Sequence, residues 1–513
     1  MLNKKILYPY LLLACSIFPI LNIYKINIFQ LTLKDIIYPG ILTLLASIVI
    51  FLLFNKVLTN KFKSSLISYL TILFFYNYGP ITRFITELFF QNTVSKIYTY
   101  SSFAFGALLF TVLLFLIIKI VKTSANLLKV TEAATVGSLL LIAWSCIHII
   151  VFQFFTPDSS NTLSPLSVPK HSPKIKPNVY HIILDGYANY ETLLSEYNFQ
   201  NTLFEIELKN LGFWIPRNSY ANFITTPTST TSTLDMTYFE SLSHTKLSES
   251  DDQRPLQKLF KHSRAVRYFK AMGYKYYHIH STVNFTKYHS LATKHLETAD
   301  SKIARFEELN HIITKETPLY HVIQIIRKTI GKKVWSSGFR ERNLNIFTQL
   351  RNAPKNDGPF LIFAHFLMPH PPYLFGPNGE DMEGHYTNND LKGSIWANRD
   401  AYIGQTQYLN TRLSELVNHI LEMEKDVKPI ILIHSDHGPD SFGIKHRLKN
   451  FIALYNPYDN TPRPNLITNI NLYPLIIDSI FNDNQFYQPN RLLQNSYEKP
   501  LKFDDITDTI LTK

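Results

Sequence analysis

The sequence predicts an α/β domain built on a doubly wound, largely parallel sheet, preceded by an α-helical membrane domain of about five spans. Three observations lead there. The amino-terminal part contains long apolar runs almost without charge. After residue 177 the apolar runs become short and alternate with longer stretches of helical spacing, and several of them end abruptly in Asp, His and Gly.

The membrane domain covers residues 1–155. Its runs are Ile6 to Tyr24, Ile36 to Phe54, Ser65 to Tyr78, Phe103 to Val121 and Thr135 to Phe155, most of them near the ~20 residues that a spanning helix needs. The third is short and closes on Asn77, Gly79 and Pro80, which also suits a re-entrant segment. Lys4 and Lys5 precede the first run, but no small-residue cleavage site follows, so it reads as a retained helix. With five spans and an internal amino terminus, the cytoplasmic segments carry eight basic residues and the opposite side four, which places the rest of the chain outside the cytoplasm. An integral membrane location with the later domain on the extracytoplasmic side is expected. Twelve basic residues face only Asp35, Glu87 and Glu132 before residue 156, so most of the formal +12 belongs to membrane topology. No nucleic-acid partner is expected on charge grounds. Cys15 and Cys146 both lie in apolar runs, leaving the later domain without a disulfide or a thiol nucleophile.

Residues 156–177 hold five prolines and no periodicity, the pattern of an extended stalk. The catalytic candidate follows at 178–513. Val179 to Leu184, Tyr274 to Ile279, Phe360 to Phe366, Ile430 to Ile433 and Phe451 to Tyr455 read as strands, and Tyr190 to Leu211, Arg254 to Met272 and Asp400 to Lys425 as helices. Ligands of doubly wound sheets sit beyond the carboxyl ends of the strands. There the sequence delivers Asp185-Gly186, His370 within MPHPPY, and Asp436-His437-Gly438. Carboxylates with imidazoles suit zinc or manganese, and Gly438 is read as the residue that turns the backbone around the ion. The segment Asn222 to Leu234, NFITTPTSTTSTL, is crowded with hydroxyls; a polar surface loop and a presented nucleophile are both consistent with it.

Four segments in order, NVYHIILDGY, NFITTPTS, HFLMPHPPYLFGPNG and HSDHG, resemble the alkaline phosphatase and sulfatase superfamily, and within it the bacterial membrane-anchored sulfatase-like hydrolases and transferases. The resemblance runs from about Asn178 to the end and includes LITNINLYPLIIDSIF and the late LLQNSY; the membrane part is similar to phosphoethanolamine transferases and lipoteichoic acid synthases in layout only. It implies one metal held by Asp185, Thr226, Asp436 and His437, with Thr226 as nucleophile. Thr226 is preferred to Thr225 because relatives usually place a leucine eight residues on, where Leu234 stands. His370 is implied to contact the transferred group, and His446 and Arg447 to bind substrate, although a basic turn at Lys445 to Lys449 accounts for His446 equally well. Mature sulfatases carry a C/S-x-P-x-R frame; here the frame is Thr225-Thr226-Pro227-Thr228-Ser229, which departs from it and favours phosphoryl transfer through threonine. The implied activity is transfer of a phospholipid head group, of phosphoethanolamine or phosphoglycerol type, to a cell-envelope glycan or lipid. A hydrolase with the same site, acting on phosphate or sulfate esters, and a non-catalytic membrane relative are the alternatives. His365 and His434 are read as packed strand-end residues, His278 and His280 receive no role, and Asn284 to Ile313 and Pro377 to Asn398 are expected to carry acceptor specificity.

Overall fold

The computed structural model describes residues 7–26, 36–90, 95–151, 175–296, 338–354, 357–382, 398–459 and 462–512, with isolated positions between them. Most of the expected stalk at 156–177, and the parts of the specificity loops at 297–312, 383–395 and 397, lie outside the described residues. The chain divides into two compact units: residues 1–158 with 302–335, and residues 159–301 with 336–513.

The first unit contains helices α1 (Leu7–Ile26), α2 (Ile37–Leu58), α3 (Lys61–Phe90), α4 (Ser95–Lys122) and α5 (Leu128–Ile150). Tyr8–Ile26, Ile37–Leu58, Ala104–Lys122 and Leu128–Ile150 are long and apolar enough to cross a membrane. The third expected span is different: α3 does not stop at Asn77 but continues for 30 residues with Pro80 inside it. The Thr82 hydroxyl donates to the carbonyls of Tyr78 (2.8 Å) and Gly79 (3.1 Å), one turn back along the helix. Ser64, Ser65, Ser68, Thr82 and Thr86 of α3 are buried, and Lys61, Lys63, Asn77, Arg83 and Glu87 keep its hydropathy below that of the others. Arg83 pairs with Glu316, a contact within this unit.

The second unit is built on a six-stranded sheet. Its strands are β1 (Val179–Leu184), β3 (Lys275–Ile279), β4 (Lys294–Leu296), β5 (Phe360–Phe366), β6 (Ile430–Ser435) and β7 (Ile452–Tyr455), in the order β4-β3-β5-β1-β6-β7; a short β2 (Ser219–Tyr220) pairs with Ile467–Thr468 outside it. All pairings within the large sheet are parallel except β6 with β7. β1 sits in the middle because every one of its residues is buried on both sides. Val179, Ile183, Phe363 and Leu432 enter one core, and Tyr180, Ile182, Ile362 and Ile433 the other, the period-two alternation of a sheet covered on both faces.

Two expected helices are each broken in two. Tyr190 to Leu211 becomes α6 (Tyr190–Tyr197) and α7 (Thr202–Asn210), because Asn198 adopts a left-handed conformation at φ 52° and caps α6. Arg254 to Met272 becomes α9 (Arg254–Lys261) and α10 (Arg264–Ala271), interrupted at His262-Ser263; α8 (Thr226–Asp235) precedes them. Farther on come α11 (Phe339–Arg351), α12 (Arg399–Met423) and α13 (Ile444–Leu448).

Candidate metal centre and active site

The hydroxyl-rich segment is not a surface loop. All ten residues of α8 are buried, and its side chains are reconciled with the interior by bonding to backbone carbonyls. Thr228 donates to Thr225 (3.0 Å), Thr230 to Thr226 (2.6 Å), Ser232 and Thr233 to Ser229 (2.9 and 2.8 Å), and Ser229 to the carbonyl of Asp436 (2.6 Å). Thr226 is the first helical residue, so its hydroxyl stands at the positive end of the helix dipole. That hydroxyl lies 3.1 Å from His437 Nε2. The Thr225 hydroxyl instead lies 2.7 Å from that of Thr228, and Asn495 donates to both at 3.2 Å.

Two adjacent strand ends converge on the same point. β1 leads directly into Asp185 and β6 into Asp436 and His437; ligand atoms of these three residues all lie within 4.8 Å of one another. Asp436 Oδ1 accepts from the backbone N–H of Gly186 (3.1 Å) and of His437 (3.0 Å), whereas Oδ2 has no hydrogen-bond partner; Asp185 Oδ1 is likewise unpartnered. His437 Nδ1 donates to the Gly438 carbonyl at 3.0 Å, which leaves Nε2 with its lone pair facing the carboxylates. Two orphaned carboxylate oxygens and an imidazole lone pair, all buried, form a donor set that fits a divalent cation. Without the cation, burial pushes both carboxyls up to about 7, helped at Asp436 by the Asp185 charge and opposed at both by Arg447. Burial, Arg447 and His370 hold His437 well below the usual imidazole range.

Arg447 is the cation of the site. It donates to the carbonyls of Ile224 (2.9 Å) and Gly438 (3.0 Å) and reaches His437 Nε2 at 3.0 Å. Gly438 matters for a reason other than the one expected: a Cβ there would stand 2.1 Å from the His446 carbonyl oxygen and 2.7 Å from that of Lys449, so close approach of α13 excludes a side chain. Gly186, by contrast, does need its conformation, at φ +69°, and a Cβ would also meet the Trp396 ring at 2.4 Å.

His370 is anchored by its N–H to the Asp185 carbonyl (3.0 Å) and by Gln405 on its own carbonyl (3.2 Å). Its Nδ1 bonds to the Pro371 carbonyl, leaving Nε2 as an acceptor, and burial lowers its pKa to about 4. His446 faces elsewhere: Nδ1 lies 3.0 Å from the Thr192 hydroxyl and Nε2 3.5 Å from Glu196, both on α6. Thus Asp185, Thr226, Asp436, His437 and Arg447 are brought together, His370 is joined to Asp185 through the backbone, and His446 bonds away from them.

Sequence reasoning left two neighbours without a role. Trp396 packs edge-on to the His370 ring at 4.6 Å and beneath the Arg447 guanidinium at 5.7 Å. His365, on β5, bonds Thr286 through Nδ1 (2.8 Å) while its unpartnered Nε2 lies 3.8 Å from Asp185 Oδ2; its position at a strand end was the available signal. His434, in contrast, is a core residue: Nδ1 donates to Ser435, so its Nε2 accepts from His181, whose Nδ1 accepts from Tyr473.

The family model described as Sulfatase matches residues 217–511. This chain belongs to the sulfatase family. No curated protein matches it significantly. Among solved structures, this sulfatase-family chain is similar to the C-terminal periplasmic domain of EcEptC from Escherichia coli, at 12% identity over 66% of this chain and 96% of that one, with a TM-score of 0.42. It is also similar to the integral membrane lipooligosaccharide phosphoethanolamine transferase A from Neisseria meningitidis, at 12% identity over 94% and 96% of the two chains, TM-score 0.42. A third is the phosphonate monoester hydrolase of Agrobacterium radiobacter, at 12% identity over 60% and 74%, TM-score 0.37.

Proposed function

We propose that this chain is a membrane-anchored, metal-dependent phosphotransferase that moves a phospholipid head group, of phosphoethanolamine or phosphoglycerol type, through a phosphothreonine at Thr226 to a glycan or lipid of the cell envelope. The observation that carries the reading is the Thr226 hydroxyl at the buried start of α8, against His437 and beside Asp185 and Asp436. Asp185, Asp436 and His437, with Thr226 completing the set, would hold zinc or manganese; when bound, the ion supplies positive charge that favours an ionised threonine oxygen and steadies phosphoryl charge. Thr226 Oγ forms a bond to phosphorus as the diacylglycerol oxygen leaves. The threonine proton passes to His370 Nε2 and from there to the departing alkoxide. In the second half an acceptor hydroxyl gives its proton to His370 and takes the phosphoryl group, and Thr226 leaves with that proton. Arg447 and the α8 N-terminus stabilise the equatorial oxygens.

The membrane half of the reading rests on α3 as a fifth span. Its 30 residues reach about 45 Å, beyond the ~30 Å of hydrocarbon; added to the four apolar helices it makes five spans, and with an internal amino terminus an odd number leaves the catalytic unit outside the cytoplasm. Apolar helices in the same chain suit a donor drawn from the bilayer. The family match also supports a hydrolase, with water as acceptor.

The test is intact-mass analysis of the full-length protein quenched with labelled phosphatidylethanolamine or phosphatidylglycerol, followed by mapping. A head-group phosphate ester on Thr226, lost in Thr226→Ala, is the expected result; full activity of Thr226→Ala removes the covalent mechanism. Label released only into water-soluble molecules, with none on an acceptor extract, selects the hydrolase.

A further inference from the structure

A polar cavity in the catalytic unit is lined by none of the groups that the mechanism uses. It measures about 350 Å³ and lies between the starts of α6 and β7, α7 and the approach to β2. Because β7 runs antiparallel to β6, with His434 opposite Ile452, the lining residues Asn450 and Phe451 lie alongside the carboxyl end of β6. There the Ser435 N–H donates to the Phe451 carbonyl (2.9 Å), and the Phe451 N–H to the Ser435 hydroxyl (2.9 Å). Ser435 directly precedes Asp436, so the cavity and the carboxylate cluster share one strand end, at the edge where doubly wound sheets take their ligands.

The charges of the lining are already matched. Glu205, buried on α7, meets Arg217 at 2.9 Å and Lys209 at 3.6 Å, and Glu191 pairs with Lys449. An ionic ligand would have to break one of these pairs. Asn450 is different. Its Nδ2 donates to the Ser435 carbonyl (2.9 Å) and to Asn469 Oδ1 (2.7 Å), which fixes the amide, and its fully buried Oδ1 has no hydrogen-bond partner. A buried acceptor left in that state calls for a donor from a ligand. Arg217, half-exposed, lies over the Tyr190 ring at 4.3 Å; of its five N–H donors Glu205 takes two, leaving the rest for an acceptor. Ile215, Pro216 and Phe451 add apolar wall between these polar groups.

We infer that this cavity binds a neutral sugar unit of a glycan acceptor. An alcohol both donates and accepts, so vicinal hydroxyls can give a proton to Asn450 Oδ1 and take hydrogen bonds from the Arg217 fork, while the C–H face of the ring covers the apolar wall. The volume is at the lower end of the roughly 300–1,000 Å³ of small-molecule sites, the size for a sugar rather than a lipid chain. The inference rests on the proposed transferase reading and names its acceptor class; binding is measured without turnover, which keeps the two separable.

Full-length protein in a non-glycosidic detergent, with and without zinc, is titrated with methyl glycosides of hexoses and N-acetylhexosamines, and binding is read by saturation-transfer NMR and calorimetry. A glycoside should bind in the millimolar range whether or not zinc is present, since no lining residue belongs to the carboxylate cluster. Arg217→Lys keeps a cation opposite Glu205 but loses the planar fork and should weaken binding about tenfold. Ile215→Trp, placed at a half-buried position outside the ion pairs, fills the cavity and should abolish binding; thermal midpoints confirm that both variants fold. Both should raise the KM for a glycan acceptor. If a glycoside binds through Arg217 but the unaltered protein forms no adduct at Thr226, the sugar site stands and the covalent transferase reading fails. Absence of glycoside binding, binding indifferent to both variants, or displacement of the glycoside by phosphoethanolamine or a lysophospholipid overturns the inference, the last in favour of a head-group or lipid site.

Discussion

Asp436→Asn separates the two opposing demands on this site. Asp185 and Asp436 are both buried and share one cluster with a lone-pair imidazole, an arrangement that suits a cation and penalises the protein without one. A carboxyl displaced from 3.8 to about 7 corresponds to about 4 kcal/mol at full ionisation. Because the folded value lies above the unfolded one, the associated stability is complete below pH 3.8 and lost as pH rises through about 7. Asparagine avoids that loss: its Oδ1 can still accept from Gly186 and His437, and its amide can donate where Oδ2 now has no partner. Chelator-treated Asp436→Asn should therefore unfold later than the unaltered protein at pH 8, by about 5 to 10 °C, with the gap closing towards pH 4. Added zinc should raise the midpoint of the unaltered protein and leave the variant unmoved. Differential scanning of the full-length protein in detergent reads both effects. A metal-free variant less stable than the parent at pH 8, or equal stabilisation of both by zinc, would refute the reasoning.

Cation binding must displace protons from the same carboxyls, so zinc affinity measured calorimetrically in two buffers should fall up to about tenfold per displaced proton for each unit below pH 7, with matching proton release. Gly438→Ala drives a Cβ into two backbone carbonyls of the α13 turn and should destabilise the catalytic unit by about 3 kcal/mol or more, read from its denaturant midpoint, while Gly443→Ala meets no atoms and tests only its φ of +85°. His370→Gln should lower turnover about 100-fold or more, as loss of a proton carrier does, whereas His446→Gln, whose partners are on α6, should change it less than tenfold; single-turnover rates at saturating donor decide.

The sheet was legible because its strands are unbroken apolar runs closed by polar clusters, and the boundaries of β1 and β5 fall where the runs begin and end. β4 escaped notice: Lys294-His295-Leu296 is three residues long at a sheet edge and carries no run to see. Helix breaks at Asn198 and at His262-Ser263 were hidden by apolar spacing that continues across them, since periodicity records the buried face and not the backbone's local turn. The clustering of Asp185, Asp436 and His437 was readable from strand-end logic, but the orientation of His446 was not. A basic turn beside the site looks the same in sequence whether its imidazole points at the cluster or at Thr192. Trp396 gave no signal because a single aromatic residue far along the chain is indistinguishable from core until Gly186 is seen to leave room for it.

Of the eight hydroxyls between Thr225 and Thr233, seven are bound to one another or to main-chain oxygens, and only that of Thr226 is turned towards His437. Under the proposed mechanism, an electrophile arriving here would meet a single reactive oxygen in a row of chemically equivalent alcohols. Chemoselectivity in this segment is thus a property of hydrogen-bond saturation, and freeing a neighbour, for example by removing the carbonyl partner or the Asn495 amide, would create a competitor for the transferred group within one residue of the intended one.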